Sequence, residues 1–226
     1  GLLTGSHQSY HTVRLTQNGV GSTVNQYATT LFTDLALSWL EDQASPWFLW
    51  LAYTAPHAPF HLPPDSLHYS QGLSDDPAAI DADPLSYYLA MLEAMDTEMG
   101  RILDAVDRQN TIVIFIGDNG PPTAVAQLPY RPRRVKGTVY QGGLQVPLVV
   151  SGAGVDRAGQ REAALVSSVD LFATIAELAG TEGQDSHDSQ SFVGLLGDAS
   201  APARTHVYAQ IGGDARALMV DSEIQR

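Results

Sequence analysis

Three short, uniformly apolar runs stand out along the chain, and stretches with helical spacing lie between them. The central run, Ile112–Ile116, is followed almost at once by Asp118 and Asn119. A run this short and this apolar predicts a strand that is buried on both faces, as in a parallel sheet. Residues 47–53 and 146–150 have the same character and predict two further strands.

Apolar residues recur at helical spacing in three longer segments. They predict helices over residues 27–42, 84–109 and 168–179. The alternation of strands and helices favours an α/β fold with a mostly parallel (mixed) sheet between helices. If strands 47–53 and 112–116 run parallel, the loops that follow them emerge at the same edge of the sheet, where such folds bind ligands.

Composition narrows the function classes. The chain has 226 residues, a formal net charge of −13 and no cysteine. The charge argues against a nucleic-acid partner, because phosphate backbones are held by clustered Lys and Arg. No apolar run reaches the length of a membrane-spanning helix. The chain therefore predicts a globular domain without disulfides or Cys-ligated zinc.

Two polar groups follow the predicted strands. Asp118 and Asn119 suit a turn after a strand, but their carboxylate and amide oxygens also suit a hard cation such as Ca²⁺ or Mg²⁺. His57 follows the first strand, between Pro56 and Ala58. It is either an ordinary loop histidine or a group that contacts an anionic substrate and carries a proton.

Lys136 is the only lysine of the chain. It is either a solvated cation or a point charge for a transferring oxyanion. Arg131, Arg133 and Arg134 lie just before it, so four of the 12 basic residues fall within six positions. In a chain of this net charge, such a concentration indicates an anionic substrate, and a local surface patch is the alternative.

Four motifs, in order and at suitable intervals, resemble the second half of the catalytic domain of sulfatases, in the alkaline phosphatase superfamily. They are FLWLAYTAPHAPFHLPP, the central strand with GDNG, KGTVYQGG followed by a Val-Pro strand, and SSVDLFATIAELAG. The resemblance implies an alkaline phosphatase-like fold, truncated here. Residues 1–196 would be a partial catalytic domain and residues 197–226 the start of a small β-containing C-terminal subdomain.

The resemblance also implies roles for single residues. Asp118 and Asn119 would be two ligands of one active-site calcium. His57 and Lys136 would contact the sulfate group and help the alcohol to leave. The substrate would be a small-molecule or glycan sulfate ester, and the location would be periplasmic or extracellular, since family members are often exported.

The chain departs from the family pattern in two ways. Gln141 and Gln145 stand where the family usually has Glu and Arg; because both partners of an expected ion pair are replaced together, we expect the local fold to survive. The family nucleophile is a formylglycine made from Cys or Ser in a Cys/Ser-x-Pro-x-Arg motif. The chain has no Cys and we assign none of its serines to this motif, so the nucleophile and the remaining calcium ligands are expected upstream of Gly1.

The sequence thus predicts part of a sulfuric ester hydrolase that is inactive alone. One alternative is a phosphodiesterase or phosphonate monoester hydrolase on the same framework. The other is a non-catalytic relative that binds sulfated glycans through the arginine-rich stretch. Residues 61–83, a long polar excursion, are expected to form a rim loop that contributes to specificity.

Overall fold

The computed structural model describes residues 3–44, 46–181, 187–212 and 215–220. The chain divides into two compact units, Gly1–Asp107 and Arg108–Arg226. Each unit has its own secondary structure and its own packed residues. The predicted boundary at residue 196 stays a prediction, and part of the predicted subdomain 197–226 lies outside the described residues.

An antiparallel sheet of three strands opens the first unit. Its strands are β1 (Leu3–Ser9), β2 (Thr12–Gln17) and β3 (Val20–Val24), in the order β1-β2-β3. Asn18 and Gly19 join β2 to β3 and both have positive φ, 51° and 84°, which is the requirement of a two-residue hairpin turn. Only alternate residues of β2 are buried.

The described residues of the first unit then form three α-helices, α1 (Ala28–Glu41), α2 (Pro77–Ala82) and α3 (Pro84–Ala105), and a short 3-10 helix at Asp65–Leu67. The predictions for α1 and α3 are confirmed. Met91 of α3 is fully buried, as expected of a flexible residue that fills a core. Asp76 and Asp83 cap α2 and α3 by accepting hydrogen bonds from backbone N–H groups, which explains two acidic residues of the 61–83 excursion.

Residues 47–53 differ from the prediction. They are extended, but they form no ladder with the other described residues. Burial alternates along them, so Phe48 and Trp50 are 60% and 64% exposed. The segment is held by side chains of α1 instead: the Tyr53 hydroxyl lies 2.7 Å from Thr33 Oγ1, and the rings of Trp39 and Trp47 meet edge to face. An apolar run indicates that a segment prefers to be buried. To form a strand of a sheet, the segment also needs adjacent strands that accept and donate hydrogen bonds with its backbone N–H and C=O groups.

In the second unit, β4 (Ile112–Ile116) pairs with β5 (Leu148–Gly152) in antiparallel register, with Ile116 opposite Leu148. The first of these strands was predicted at these bounds, and the second lies two residues later than predicted. Every ladder of the described residues is antiparallel. Parallel pairing of 47–53 with β4 is therefore not among them, and β4 is half-buried rather than buried on both faces.

Three short helices complete the second unit: α4 (Gln141–Leu144), α5 (Asp170–Leu178) and α6 (Val193–Gly197). Leu171, Phe192 and Leu195 form its core, against the inner side chains of β4 and β5. A last hairpin, β6 (His206–Ile211) with β7 (Ala215–Val220), matches the predicted β-containing piece. Within the described residues, no helix has the length and apolar content that a membrane crossing requires.

Candidate functional site

One loop, residues 117–147, carries three of the four predicted site residues. Because β4 and β5 are antiparallel, this loop leaves and re-enters the sheet at the same end. Gly117 N donates to Pro147 O over 3.0 Å and closes its base. Asp118 and Asn119 lie immediately inside that closure.

Backbone hydrogen bonds also join the two parts of the loop that carry predicted site residues. Gly120 N donates to Gly143 O over 3.1 Å, and Lys136 N donates to Pro121 O over 3.1 Å. The residue that follows Asn119 and the residue that carries the ammonium group are thus fixed to the same small frame. The structure brings Asp118, Asn119 and Lys136 into one loop cluster.

Glycines make this close approach possible. A Cβ on Gly120 would lie 1.7 Å from Gly142 O. A Cβ on Gly143 would lie 2.4 Å from Thr138 O and 2.7 Å from Val135 O. These are backbone atoms that no rotamer change can move. The GDNG and QGG motifs of the sequence are therefore the two halves of one backbone contact.

The Asp118-Asn119 pair presents oxygen atoms. Asp118 is exposed, and its Oδ1 accepts the Asn119 backbone N–H at 2.8 Å. The Asn119 side-chain amide donates to Gly120 O over 3.1 Å. That bond fixes which end of the amide is nitrogen, so the Asn119 Oδ1 is left to accept or to coordinate.

These two oxygens fit part of a hard-cation site. A carboxylate and an amide oxygen are ligands of Ca²⁺ and Mg²⁺, but Ca²⁺ takes six to eight oxygens. Among the described residues, no group of three or more His, Asp or Glu side chains is placed to hold a metal ion. Asp118 and Asn119 can thus contribute two ligands of a larger set.

The basic residues of the loop are not paired with carboxylates in the part of the chain that the structure describes. Lys136 is half-buried, and Arg131, Arg133 and Arg134 are exposed. None of the four lies within salt-bridge distance of a carboxylate of the described residues. The Arg134 guanidinium lies over the ring of Tyr140, 4.6 Å from its centroid, which orients it. The loop therefore presents positive charge at its surface.

The loop is ordered with glutamines at the two positions where the family usually has Glu and Arg. Gln141 begins α4, and Gln145 Oε1 accepts a hydrogen bond from the Tyr130 hydroxyl at 3.2 Å. Neutral side chains occupy both positions, so no charge is left without its partner.

His57 lies in the first unit, on an exposed turn. Its backbone N–H donates to Thr54 O over 2.9 Å, and its carbonyl accepts the Tyr10 hydroxyl at 2.7 Å. The Nδ1 atom lies 2.8 Å from Ala58 O. Because a carbonyl only accepts, Nδ1 is the protonated nitrogen, and Nε2 is available to a ligand.

Sequence reasoning missed the aromatic group behind this turn. The rings of Tyr10 and His61 lie 4.2 Å apart, and His61 Nε2 lies 3.1 Å from the Tyr27 hydroxyl. Burial raises the pKa of Tyr27 to about 12, so its hydroxyl stays protonated. No spacing signal in the sequence marks these contacts, and the Tyr10 hydroxyl connects the group to the His57 turn by its hydrogen bond to His57 O.

The predicted meeting of His57 with Asp118 and Lys136 stays a prediction. His57 belongs to the unit Gly1–Asp107, and the other two belong to the unit Arg108–Arg226.

Sequence analysis assigned none of the serines to the Cys/Ser-x-Pro-x-Arg motif, and this was wrong, because one serine does fit the motif. Residues 200–204, SAPAR, fit Ser-x-Pro-x-Arg letter for letter. The structure gives this stretch another role. Ser200 donates from both N and Oγ to Asp198 Oδ1 at 2.8 Å, which forms a turn after α6. Arg204 is bound to the buried carboxylate of Asp170. In the structure, Ser200 thus takes part in a turn and Arg204 in an ion pair.

Comparison with known proteins gives a consistent picture. The family model described as Sulfatase matches residues 3–181. A protein named Sulfatase from Formosa agariphila is 31% identical over 178 residues, which cover 70% of this chain and 31% of that protein.

Two solved structures extend the comparison to the fold. Ps i-CgsB in complex with k-i-k-neocarrahexaose has a TM-score of 0.76 at 24% identity, covering 92% of this chain and 48% of that one. BT4656 in complex with its substrate D-glucosamine-2-N,6-O-disulfate has a TM-score of 0.73 at 17% identity, covering 97% and 65%. The likeness confirms the predicted alkaline phosphatase-like α/β fold. The chain spans about a third of the length of the Formosa protein and about half to two thirds of the two structures.

Proposed function

Because this chain belongs to the sulfatase family, we propose that the protein hydrolyses sulfate monoesters to an alcohol and sulfate. One observation supports the proposal: a single loop holds Asp118 and Asn119, which offer a carboxylate and an amide oxygen, on the same backbone frame as the only lysine, Lys136. A tetrahedral anion needs such a combination of cation and ammonium group around its oxygens.

Each residue has a distinct task in this proposal. Asp118 and Asn119 hold part of a calcium site; the bound ion would act as a Lewis acid on the sulfuryl oxygens. Lys136 places a positive charge against those oxygens. His57, with Nδ1 bound to Ala58 O, presents Nε2 for contact with the sulfate group or for proton transfer to the departing alcohol.

We propose that the nucleophile lies outside this chain and that the chain alone has no turnover. The one serine that fits the family motif, Ser200, bonds to Asp198, and the arginine of that motif is bound by Asp170. Neither is free for the roles that the motif requires. In the full-length protein we therefore expect Ser200→Ala to keep its activity, and an inactive S200A with unchanged stability would contradict this assignment.

For the substrate class we propose a sulfated sugar. Arg131, Arg133 and Arg134 add exposed positive charge beside Lys136, with no carboxylate of the described residues to neutralise it. An anionic substrate with more than one charged group matches that surface better than a neutral aryl group does. The fold relative BT4656, whose stated substrate is a disulfated sugar, supports the choice of sugar sulfates as test compounds.

The test compares His57→Ala and Lys136→Ala in the full-length protein, with His206→Ala and Arg161→Ala as matched exposed controls. We expect kcat for a fluorogenic sulfate monoester to fall by about 10²- to 10³-fold in the first pair. The controls should keep wild-type rates. Equal rates in all four variants would refute the proposal, as would a full-length protein that hydrolyses the matching phosphate ester and not the sulfate.

A further inference from the structure

A buried tyrosine is bonded to the turn that carries His57. The Tyr10 side chain is 2% exposed, and its hydroxyl donates to His57 O over 2.7 Å. The two residues are 47 positions apart, and Tyr10 lies in the connection between β1 and β2. The antiparallel sheet at the start of the chain is therefore joined directly to a predicted site residue.

Tyr10 is itself fixed through both its backbone and its ring. Its carbonyl accepts the Ala28 N–H, at the start of α1, at 2.7 Å. Its ring packs against the His61 ring, with the centroids 4.2 Å apart. Burial is the main cause that raises the pKa of Tyr10, so its hydroxyl stays protonated and remains a donor at neutral pH. The hydroxyl therefore offers the His57 turn a fixed point of attachment.

His61 supports the same arrangement from the other end of the loop. Its Nδ1 lies 3.0 Å from Pro59 O, and its Nε2 lies 3.1 Å from the Tyr27 hydroxyl. Because a carbonyl only accepts, Nδ1 carries the proton and Nε2 accepts from the hydroxyl. One imidazole thus connects the backbone two residues after His57 to the residue that precedes α1, while its ring packs on Tyr10.

The ring of His57 is oriented by its own turn. Its Nδ1 bonds to Ala58 O, the carbonyl of the next residue, and the bond from His57 N to Thr54 O closes the turn. Both bonds are local, so they set the direction of the ring relative to the turn. They do not fix the turn relative to the rest of the unit, which is what the bond from Tyr10 does.

We propose that Tyr10 is a positioning residue for His57: its hydroxyl fixes the turn so that the Nε2 atom is presented at one place and in one tautomer. This inference rests on the proposed function, in which His57 contacts the sulfate group or gives a proton to the departing alcohol. Such a group must lie within about 2.6–3.2 Å of its partner atom, so even a displacement of about 1 Å lowers the rate strongly.

The kinetic test compares two buried tyrosines in the full-length protein. Tyr10→Phe keeps the ring and removes only the hydroxyl. Tyr87→Phe is the matched control, because Tyr87 is also 2% exposed and its hydroxyl also donates to a backbone carbonyl, Ser74 O, over 2.8 Å.

The two variants should differ in rate and not in stability. We expect Y10F to lower kcat for a fluorogenic sulfate monoester by about 10- to 100-fold with KM nearly unchanged, since the displaced group acts in the transition state. Y87F should keep the wild-type kcat. Its melting temperature should fall at least as far as that of Y10F, because the Tyr87 hydroxyl also accepts the Ser74 N–H.

A measurement without substrate separates this inference from the proposed function. In protein labelled with nitrogen-15 histidine, the ring signals of His57 are identified by their loss in His57→Gln and recorded at a pH where the ring is neutral. The wild type should show one protonated and one unprotonated nitrogen, as the contact of Nδ1 with Ala58 O requires. In Y10F the two nitrogen shifts should move towards each other, because both tautomers become populated, and in Y87F they should stay in place.

His57 shifts that move in Y10F and not in Y87F support the positioning role, even if the wild-type protein hydrolyses no sulfate ester. Wild-type His57 shifts in Y10F would overturn it. In an active enzyme, equal kcat values for Y10F and Y87F would overturn it as well.

Discussion

Gly120→Ala tests the frame that fixes the candidate site. The new Cβ would lie 1.7 Å from Gly142 O and 2.8 Å from the Gly142 carbonyl carbon. Both are backbone atoms, so the two segments must separate by more than about 1 Å before the contact becomes tolerable. That separation also breaks the bond from Gly120 N to Gly143 O.

The expected loss of unfolding free energy is the sum of two destabilising effects and one effect that offsets them. Overpacking of this kind costs about 1–3 kcal/mol, and the lost backbone hydrogen bond adds about 0.5–1.5 kcal/mol. The smaller entropy of an alanine-containing unfolded chain offsets about 0.4–1 kcal/mol. We expect a net loss of about 2–3 kcal/mol, which is a large share of the stability of an ordinary domain.

Urea denaturation followed by circular dichroism measures this loss. Gly100→Ala is the control, because Gly100 lies within the helix α3 and a Cβ added there would meet no atom within 4 Å apart from the backbone of its own helix. This variant should gain about 0.5–1 kcal/mol from the better helix former. A G120A protein within about 0.5 kcal/mol of wild type would refute the view that the GDNG and QGG motifs meet through their backbones.

Two further predictions concern buried carboxylates. Arg101→Met leaves the 1%-exposed Glu98 without its cation and should destabilise the protein in urea titrations by about 1–3 kcal/mol, a loss that is reduced because Arg101 itself is 42% exposed. Arg157→Met breaks a pair whose carboxylate is 31% exposed and should cost clearly less; equal losses would contradict this. Burial alone raises the pKa of Asp170, but hydrogen bonds from Arg204 and from two backbone N–H groups outweigh it and hold that pKa below its ordinary value. The stability that Asp170 contributes is therefore fully present above the ordinary carboxyl pKa and is lost as the pH falls through the lowered pKa. Asp170→Asn should make the loss of stability at acid pH less steep in a pH titration followed by fluorescence. An unchanged titration curve would contradict the stabilising role of the Asp170 carboxylate.

Helical periodicity was the part of the sequence that predicted structure best. The segments 27–42 and 84–109 became α1 and α3 with bounds shifted by only a few residues. A helix satisfies its own backbone groups, so a local pattern contains most of the information that it needs. The helix caps are local in the same way, because Asp76 and Asp83 accept hydrogen bonds from backbone N–H groups only two and three residues further along the chain.

Strand pairing was predicted less well, because a ladder depends on partners far away in the sequence. The sheet of β1–β3 was not among the predicted strands, because Val13 and Leu15 are the only buried apolar residues of β2 and lie in a polar stretch. In residues 47–53 the opposite happened: strong apolar content and an alternating burial pattern are present, but no ladder forms with the described residues. Composition predicts which segments prefer burial, and it does not name their neighbours.

The site shows why residue types could be predicted and their arrangement could not. Asp118 and Lys136 are 18 positions apart, a separation that allows almost any distance between them. If β4 and β5 were parallel, as the sequence predicted for most of the sheet, the chain after β4 would have to return to the opposite end of the sheet before β5 could begin. In the structure β5 starts opposite the last residue of β4, so the connection must return to its own starting point. At the base of this connection the backbone at Gly120 lies against the backbone at Gly142. A side chain at position 120 would prevent that contact. The direction of one strand and the absence of one side chain therefore decide whether Lys136 and the side-chain oxygens of Asp118 and Asn119 share a loop cluster.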